Sequence, residues 1–232
     1  MTIAVLLSGG NGTRIGGEIP KQYIKVNQRR IMDYSLSTLC KSEYIDYVVI
    51  VAAKEWQQTI YEEMVKTEED KTIGFALPGD NRQMSIYNAL VFIEEYFKDR
   101  LTDKDCVFIH DAARPNLTED MIREYIDAIE DHDGVMPVLP VKDTMYMSGD
   151  GDKVSELLDR KKLFFGQAPE VFKFFKYFEA NKALLPDKIL EINGSTEPAV
   201  LFGMDVIMVK GSEKNFKITT QADLDAFVAS AV

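Results

Sequence analysis

Short apolar runs alternate with helix-like segments along this 232-residue chain, and this alternation is what most constrains its fold. The runs that predict strands cover residues 3–8, 47–53, 73–77, 106–109, 135–139 and 206–209. The first run ends at two glycines, as a buried parallel strand does before a tight turn. Between the runs, apolar residues recur at helical spacing, as at Ile86, Leu90, Ile93 and Phe97. The pattern predicts a three-layer α/β domain with a mostly parallel sheet.

One segment does not follow this alternation of strand-like and helix-like segments. Residues 142–162 hold an acidic turn, Gly149-Asp150-Gly151, between two short extended pieces, which predicts a hairpin that leaves the sheet. No linker, repeat or low-complexity tract divides the sequence. We therefore expect a single domain over residues 1–232, with a protruding β-arm at 142–162.

The charge balance excludes several classes of partner. Lys and Arg number 27 and Asp and Glu 38, so the formal net charge is −11. This charge disfavours a broad nucleic-acid-binding face and binding to an anionic membrane. No signal peptide or membrane span is expected, and Cys40 and Cys106, both in apolar segments, indicate core thiols in the cytoplasm. Two histidines are too few for a three-histidine zinc site.

Ligands of open α/β sheets bind at the carboxyl ends of the strands, so the residues that follow each strand are the candidate site. After the first strand the sequence reads SGGNGTR at residues 8–14, where glycines and successive N–H groups can bind an anion beside an arginine. The loop lacks the Gly-Lys-Ser/Thr of a P-loop, and Ile15 occupies the third glycine position of a dinucleotide fingerprint. A plain tight turn is the alternative.

Four further segments carry candidate residues. Lys21 lies in PKQ at 20–22, and Asp80 and Arg82 lie in PGDNR at 78–82, before Ser85. A surface lysine, and an N-capping aspartate with a solvated arginine, are the alternatives. Asp159-Arg160 and NFKIT at 215–219 supply two more cations.

The segment HDAARP at 110–115 follows the fourth predicted strand. Asp111 is suited to a magnesium ion that bridges phosphates, and Arg114 to a bidentate anion contact. Asp111 as a helix N-cap is the alternative. His110 is either a general base or, as we prefer, a structural histidine with satisfied hydrogen bonds.

Taken in order, GGNGTR, PKQ, GDNRQMS, HDAARP, VKDT, LDR and NFKIT resemble the methylerythritol-phosphate cytidylyltransferase family, which includes relatives acting on ribitol 5-phosphate. The resemblance spans residues 3–227. It implies a nucleotidyltransferase fold, a homodimer formed through the β-arm, and transfer of a cytidylyl group from CTP to a polyol phosphate with release of diphosphate.

The resemblance also implies roles for individual residues. The implied nucleotide-binding residues are Leu7, Ser8, Gly9, Gly10, Gly12, Thr13, Gly79, Asp80, Arg82, Ser85 and Asp111, with Asp111 also near magnesium. The implied catalytic residues are Arg14, Lys21, Arg160 and Lys217, and the implied polyol-phosphate contacts are Arg114, Thr144, Arg160 and Lys217. Thr144 and Arg160, on the arm, would reach the site of the neighbouring subunit.

Two departures from the family pattern leave the acceptor open. Residues 167–170 read QAPE where the family has Gln-Thr-Pro-Gln, and TEPA at 196–199 stands in for Thr-Asp-Glu-Ala. The acceptor is therefore methylerythritol 4-phosphate (isoprenoid biosynthesis), ribitol 5-phosphate (teichoic acid or capsule biosynthesis), or another polyol phosphate such as glycerol 3-phosphate. The rival hypotheses are a nucleotide-binding regulatory protein without turnover and a sugar-1-phosphate nucleotidyltransferase.

Overall fold

A computed structural model of the chain describes residues 1–10, 19–64 and 71–230, and the side chain of Met64 lies outside this description. The strands are β1 Thr2–Leu7, β2 Lys25–Val26, β3 Arg29–Arg30, β4 Tyr47–Val51, β5 Thr72–Ala76, β6 Cys106–Asp111, β7 Gly134–Pro140, β8 Met145–Met147, β9 Glu156–Leu158, β10 Phe164–Gly166, β11 Glu170–Lys173 and β12 Val206–Lys210. The α-helices are α1 Ile31–Lys41, α2 Lys54–Met64, α3 Arg82–Phe97, α4 Glu119–Asp127, α5 Phe174–Lys182, α6 Glu197–Leu201 and α7 Gln221–Ser230.

Eight strands form the main sheet, in the order β10-β7-β11-β6-β1-β4-β5, with β12 paired to β7. The strand β1 pairs in parallel with β4 on one side and β6 on the other. β4–β5 and β7–β12 are also parallel, whereas β10 and β11 run antiparallel to their neighbours. The predicted mostly parallel α/β sheet is confirmed.

The two faces of the sheet bury separate cores, because successive side chains of a strand point to opposite faces. Ala4 and Leu6 of β1 pack on one face with α1 and α4. Ile3 and Val5 pack on the other face with α3 and α5. Helices cover both faces, which gives the three layers that the alternation predicts.

Local hydrogen bonds fix where the helices begin. The Asn81 side chain accepts from the Met84 N–H at 2.7 Å and caps α3, so the interpretation of Asp80 as the N-cap is wrong. The Thr118 side chain caps α4, accepting from the Met121 N–H. At the last helix, Thr220 and Asp223 bond to each other's backbone N–H groups.

The main strands lie within two residues of their predicted positions, and the two-residue extension of β6 is the informative difference. It continues through His110 to Asp111, so Asp111 ends a buried strand and does not cap a helix, since α4 begins eight residues later. Strands β10 and β11 and helix α5 correspond to no predicted element.

The segment from 142 to 162 contains the predicted hairpin. β8 and β9 pair antiparallel, with Met145 opposite Leu158, and form a separate two-stranded sheet. Its apolar side chains are exposed, including Tyr146, Val154 and Leu157. Within the described ranges, no helix is both long and apolar enough to cross a membrane.

Candidate active site

A cleft of about 380 Å³ opens where the carboxyl ends of β1, β4 and β6 meet the start of α3. This volume is within the range typical of small-molecule sites. Ten of the predicted site residues line it: Leu7, Gly9, Gly10, Lys21, Gly79, Asp80, Arg82, Ser85, Asp111 and Lys217. The topology therefore brings together segments separated by up to two hundred residues of sequence.

Asp111 is the electrostatic centre of the cleft. Its Oδ1 lies 3.1 Å from Arg82 Nε, and its Oδ2 lies 3.0 Å from Lys217 Nζ and 3.5 Å from Arg114 Nε. Burial by itself would raise the pKa of Asp111, but Arg82, Lys217 and Arg114 outweigh it and hold that pKa well below its ordinary value. One carboxylate thus orients three cations toward a single point.

Arg82, the first residue of α3, is held from two sides. Besides Asp111, its Nη1 donates to Ser195 Oγ at 2.8 Å, and its Nη2 lies 3.8 Å from Glu170 Oε2. The alternative of a solvated arginine is therefore wrong. The side chain keeps partial access to the cleft while its guanidinium is fixed by three neighbours.

The PKQ segment forms a 3-10 turn that closes the cleft from the other side. Lys21 is buried there and lines the cleft, so the surface-lysine alternative is wrong. The adjacent Gln22 donates from Nε2 to the carbonyl oxygens of Ser8 and Gly10, each at 2.7 Å. This side chain fixes the backbone at the start of the Gly-rich loop.

Two glycines allow close packing around the cleft. A Cβ on Gly79 would lie 2.3 Å from Met84 Cγ, and a Cβ on Gly9 would lie 2.6 Å from Pro78 Cβ. The Gly79 N–H is free to donate to Ser85 Oγ at 2.9 Å. A larger residue at position 9 would separate the two loops that flank the cleft, and one at position 79 would displace Met84 at the start of α3.

His110 lies beneath the cleft and is fully buried. Its Nε2 lies 3.0 Å from the Arg114 carbonyl oxygen, so Nε2 carries the hydrogen, and Nδ1 has no hydrogen-bond partner. Burial lowers the pKa of His110 to about 4. A neutral histidine outside the cleft lining supports the structural role, although only one of its two ring nitrogens is satisfied.

Comparisons with known proteins agree with this geometry. A sequence profile of the IspD family, 2-C-methyl-D-erythritol 4-phosphate cytidylyltransferase, matches residues 2–231. The chain belongs to this family.

Individual relatives span almost the whole chain. A 2-C-methyl-D-erythritol 4-phosphate cytidylyltransferase of Thermotoga neapolitana is 31% identical, covering 97% of this chain and 94% of the relative. A ribitol-5-phosphate cytidylyltransferase of Lactiplantibacillus plantarum is 28% identical and covers 100% and 98%. The crystal structure of 4-diphosphocytidyl-2C-methyl-D-erythritol synthase from Anaerococcus prevotii superposes with a TM-score of 0.81 at 22% identity, covering 99% of this chain and 95% of that chain, which supports the shared fold.

Within this cytidylyltransferase family fold, not every predicted residue reaches the cleft. Ser8 is buried, and its hydroxyl donates to Tyr23 Oη at 3.0 Å, away from the cleft. Thr144 and Arg160 are exposed at the base of the arm, where Arg160 Nη1 donates to the Lys142 carbonyl oxygen. Gly12, Thr13 and Arg14 lie outside the described residues.

Two carboxylates line the cleft among the described residues, Asp80 and Asp111, and Asp111 is the one predicted to lie near a divalent cation. In the described part of the chain no three His, Cys, Asp or Glu side chains cluster as a metal site. Mg²⁺ bound with nucleotide phosphates needs only one or two protein carboxylates, because phosphates and water fill the other positions. Asp111 fits such a shared ion, provided that the phosphates take over its present cationic partners.

Several residues that shape the site are not among those predicted. Gln22 and Asn215 belong to the quoted PKQ and NFKIT motifs, and the Asn215 carbonyl oxygen accepts from Arg114 Nη1 at 2.7 Å. Glu170 is noticeable in the sequence only as a departure from the family pattern. Ser195 carries no local signal, because its contacts with Arg82 and Glu170 join distant segments.

Proposed function

We propose that this protein joins CTP to a polyol phosphate, giving the CDP-polyol and diphosphate. The observation that carries the proposal is that Lys21, Arg82 and Lys217 line one cleft, in which Arg82 and Lys217 contact Asp111, in a chain of the cytidylyltransferase family. Two anionic substrates must approach each other in this reaction, and fixed cations offset their repulsion.

In the proposed reaction, an oxygen of the acceptor's phosphate monoester attacks the α-phosphorus of CTP in line. The new O–P bond forms as the bond to the β-phosphate oxygen breaks, and diphosphate leaves with the electron pair. The attacking oxygen is already anionic at neutral pH, so no strong general base is required. The buried, neutral His110 is consistent with this requirement.

The proposed role of each residue follows from its position in the site. Gly79, Asp80 and Ser85 would recognise cytosine and ribose, and the loop at residues 8–14, including Arg14, would surround the phosphates. Lys21 would stabilise the charge at the transferred phosphorus, and Lys217 and Arg114 would bind the acceptor. Mg²⁺, when bound with CTP beside Asp111, would neutralise charge on the phosphate oxygens.

We further propose a homodimer in which the arm of one subunit completes the site of the other. The exposed apolar side chains of the arm, and the position of Thr144 and Arg160 outside the cleft of their own chain, support this arrangement. A cytoplasmic location is consistent with Cys40 and Cys106, which are buried and form no disulfide.

The acceptor is 2-C-methyl-D-erythritol 4-phosphate or D-ribitol 5-phosphate, since relatives named for each substrate match the whole chain at similar identity. Diphosphate release should be measured with CTP, Mg²⁺ and each acceptor in turn, with glycerol 3-phosphate as a third acceptor and UTP and TTP as alternative nucleotides. We expect release with CTP and one of the first two acceptors. CTP binding without release for any acceptor would contradict the proposal and support a regulatory nucleotide-binding protein.

A further inference from the structure

A buried serine–glutamate pair lies beside the Arg82 guanidinium, on the side away from the cleft. Ser195 and Glu170 are both buried, and neither lines the cleft. The Ser195 hydroxyl accepts from Arg82 Nη1 at 2.8 Å and itself donates to Glu170 Oε1. Arg82 therefore has Asp111 on the cleft side and the Ser195–Glu170 pair on the core side.

The pair is anchored in the core by a chain of buried hydrogen bonds. The Ser195 carbonyl oxygen accepts from Tyr177 Oη at 2.6 Å, and Tyr177 Oη in turn accepts from Gln83 Nε2 at 3.0 Å. Both of these side chains are buried. Because Gln83 follows Arg82 directly in α3, the same helix turn is connected to Ser195 twice, which restricts movement of the guanidinium.

Glu170 also changes the charge of the site. The resemblance implies glutamine at this position, so this chain places an additional carboxyl group 3.8 Å from Arg82 Nη2, where the guanidinium favours its negatively charged form although burial raises its pKa. Glu170 Oε2 has no hydrogen-bond partner, so the effect of this oxygen on Arg82 is electrostatic. A nearby negative charge weakens the attraction of a guanidinium for phosphate.

We propose that Glu170 and Ser195 are positioning residues for Arg82: Ser195 orients the guanidinium in the cleft, and Glu170 lowers the affinity of the cleft for phosphate groups. A cleft that holds three cations beside Asp111 otherwise binds diphosphate tightly and releases it slowly. The inference rests on the proposed function, in which diphosphate is the leaving product.

Binding of inorganic diphosphate with Mg²⁺, measured by calorimetry, tests the role of Glu170. E170Q keeps an acceptor for Ser195 and removes only the charge, so we expect diphosphate to bind about fivefold more tightly. S195A removes the hydrogen bond that orients Arg82, so we expect kcat to fall about tenfold while the protein remains folded.

The Ser42–Glu119 pair provides matched controls. Ser42 is buried and donates to Glu119 Oε1 at 3.0 Å, and neither residue lines the cleft. E119Q and S42A should leave diphosphate affinity and kcat at wild-type values. Thermal unfolding of all four variants identifies any loss that comes from stability.

Wild-type diphosphate affinity in folded E170Q, together with wild-type kcat in folded S195A, would overturn the inference. A change of the same size in the control variants would also overturn it. Diphosphate binding needs neither acceptor nor turnover. A wild-type protein that transfers no cytidylyl group would therefore contradict the proposed function and still permit the test of Glu170.

Discussion

The cleft and the arm place their charged residues in opposite environments. In the cleft, Asp111 is buried and meets Arg82, Arg114 and Lys217 within 3.5 Å. On the arm, Arg160 is exposed, and Tyr146 and Leu157 present more than half of their surface to solvent. Burial fixes the geometry of the first group, whereas the second group is exposed to solvent, where charge interactions are weak.

The difference suggests that the two halves of the site are supplied by different chains. The cleft is assembled within one chain by β1, β6, α3 and the PKQ turn, and we propose that it is the nucleotide half. The acceptor half, in our proposal, needs the arm of a second chain. Variants in each half should therefore change different kinetic constants, and the predictions below run from the largest expected effect to the smallest.

The largest effect is expected from K21A, which removes a buried cation from the cleft. We expect kcat to fall by about 10²–10³-fold with a modest change in CTP binding, because the charge acts on the transition state. R14A should behave in the same way. K25A, an exposed lysine four residues further on, is the control. Turnover close to wild type in both K21A and R14A would refute the assignment of the cleft.

A second prediction concerns His110, which lies beneath the cleft and whose pKa is lowered to about 4. An unfolded chain has a histidine pKa near 6.5, so between about pH 6.5 and 4 the unfolded state binds more protons. The free energy of unfolding should therefore fall with decreasing pH in this range, with a contribution from His110 of up to about 3 kcal/mol.

Urea unfolding at a series of pH values checks this prediction. The difference between wild type and H110Q should shrink as the pH falls from 6.5 to 4. H132Q, which alters the other histidine, should retain the contribution of His110. A pH-independent difference between wild type and H110Q would show that burial does not hold His110 neutral.

Substitution of Gln22 tests whether the backbone of the cleft is held in place by local side-chain hydrogen bonds. Q22M leaves the Ser8 and Gly10 carbonyl oxygens without their shared donor, at a cost of about 2 kcal/mol in stability. We also expect a higher KM for CTP, because the backbone at the start of the Gly-rich loop loses its anchor. Q58M, on the exposed face of α2, should change neither quantity. An unchanged KM for CTP in Q22M would show that Gln22 contributes to stability and not to CTP binding.

The smallest effect is expected on the arm. R160A should raise KM for the polyol phosphate about tenfold, since one charge-assisted contact is lost, and leave KM for CTP unchanged. K161A, its exposed neighbour, is the control. Steady-state kinetics with each substrate varied in turn separates the two constants. A rise in KM for CTP of similar size would contradict the division between the two halves.

The parts of the fold that the sequence predicts are those with strong local patterns. The run at 106–109 is apolar throughout, and the 4, 3 and 4 spacing from Ile86 to Phe97 identifies α3. β11 escapes prediction because Glu170 begins it, and a charged residue is not expected in a buried strand. Its carboxylate is stabilised there by Ser195 and Arg82, which are distant in sequence.

The same distinction applies to the site. Glycines that closely follow strands, such as Gly9 after β1 and Gly79 after β5, can be found from sequence because topology places them at the sheet edge. Ser195 and the second hydrogen bond of Gln22 depend on how separate loops pack. Among the predicted site cations in the described part of the chain, Lys21, Arg82 and Lys217 line the cleft, whereas Arg114 and Arg160 do not.

The central claim is that one chain supplies the nucleotide half and its partner supplies the arm. It is tested most directly by mixing K21A and R160A subunits under conditions that exchange subunits, at an acceptor concentration below its KM. In a mixed dimer, the site with an intact Lys21 also receives an intact Arg160 from the partner. We therefore predict recovery of about a quarter of wild-type activity at equal mixing, well above the mean of the two parents. Activity equal to that mean would show that each arm serves its own chain, and would contradict the account.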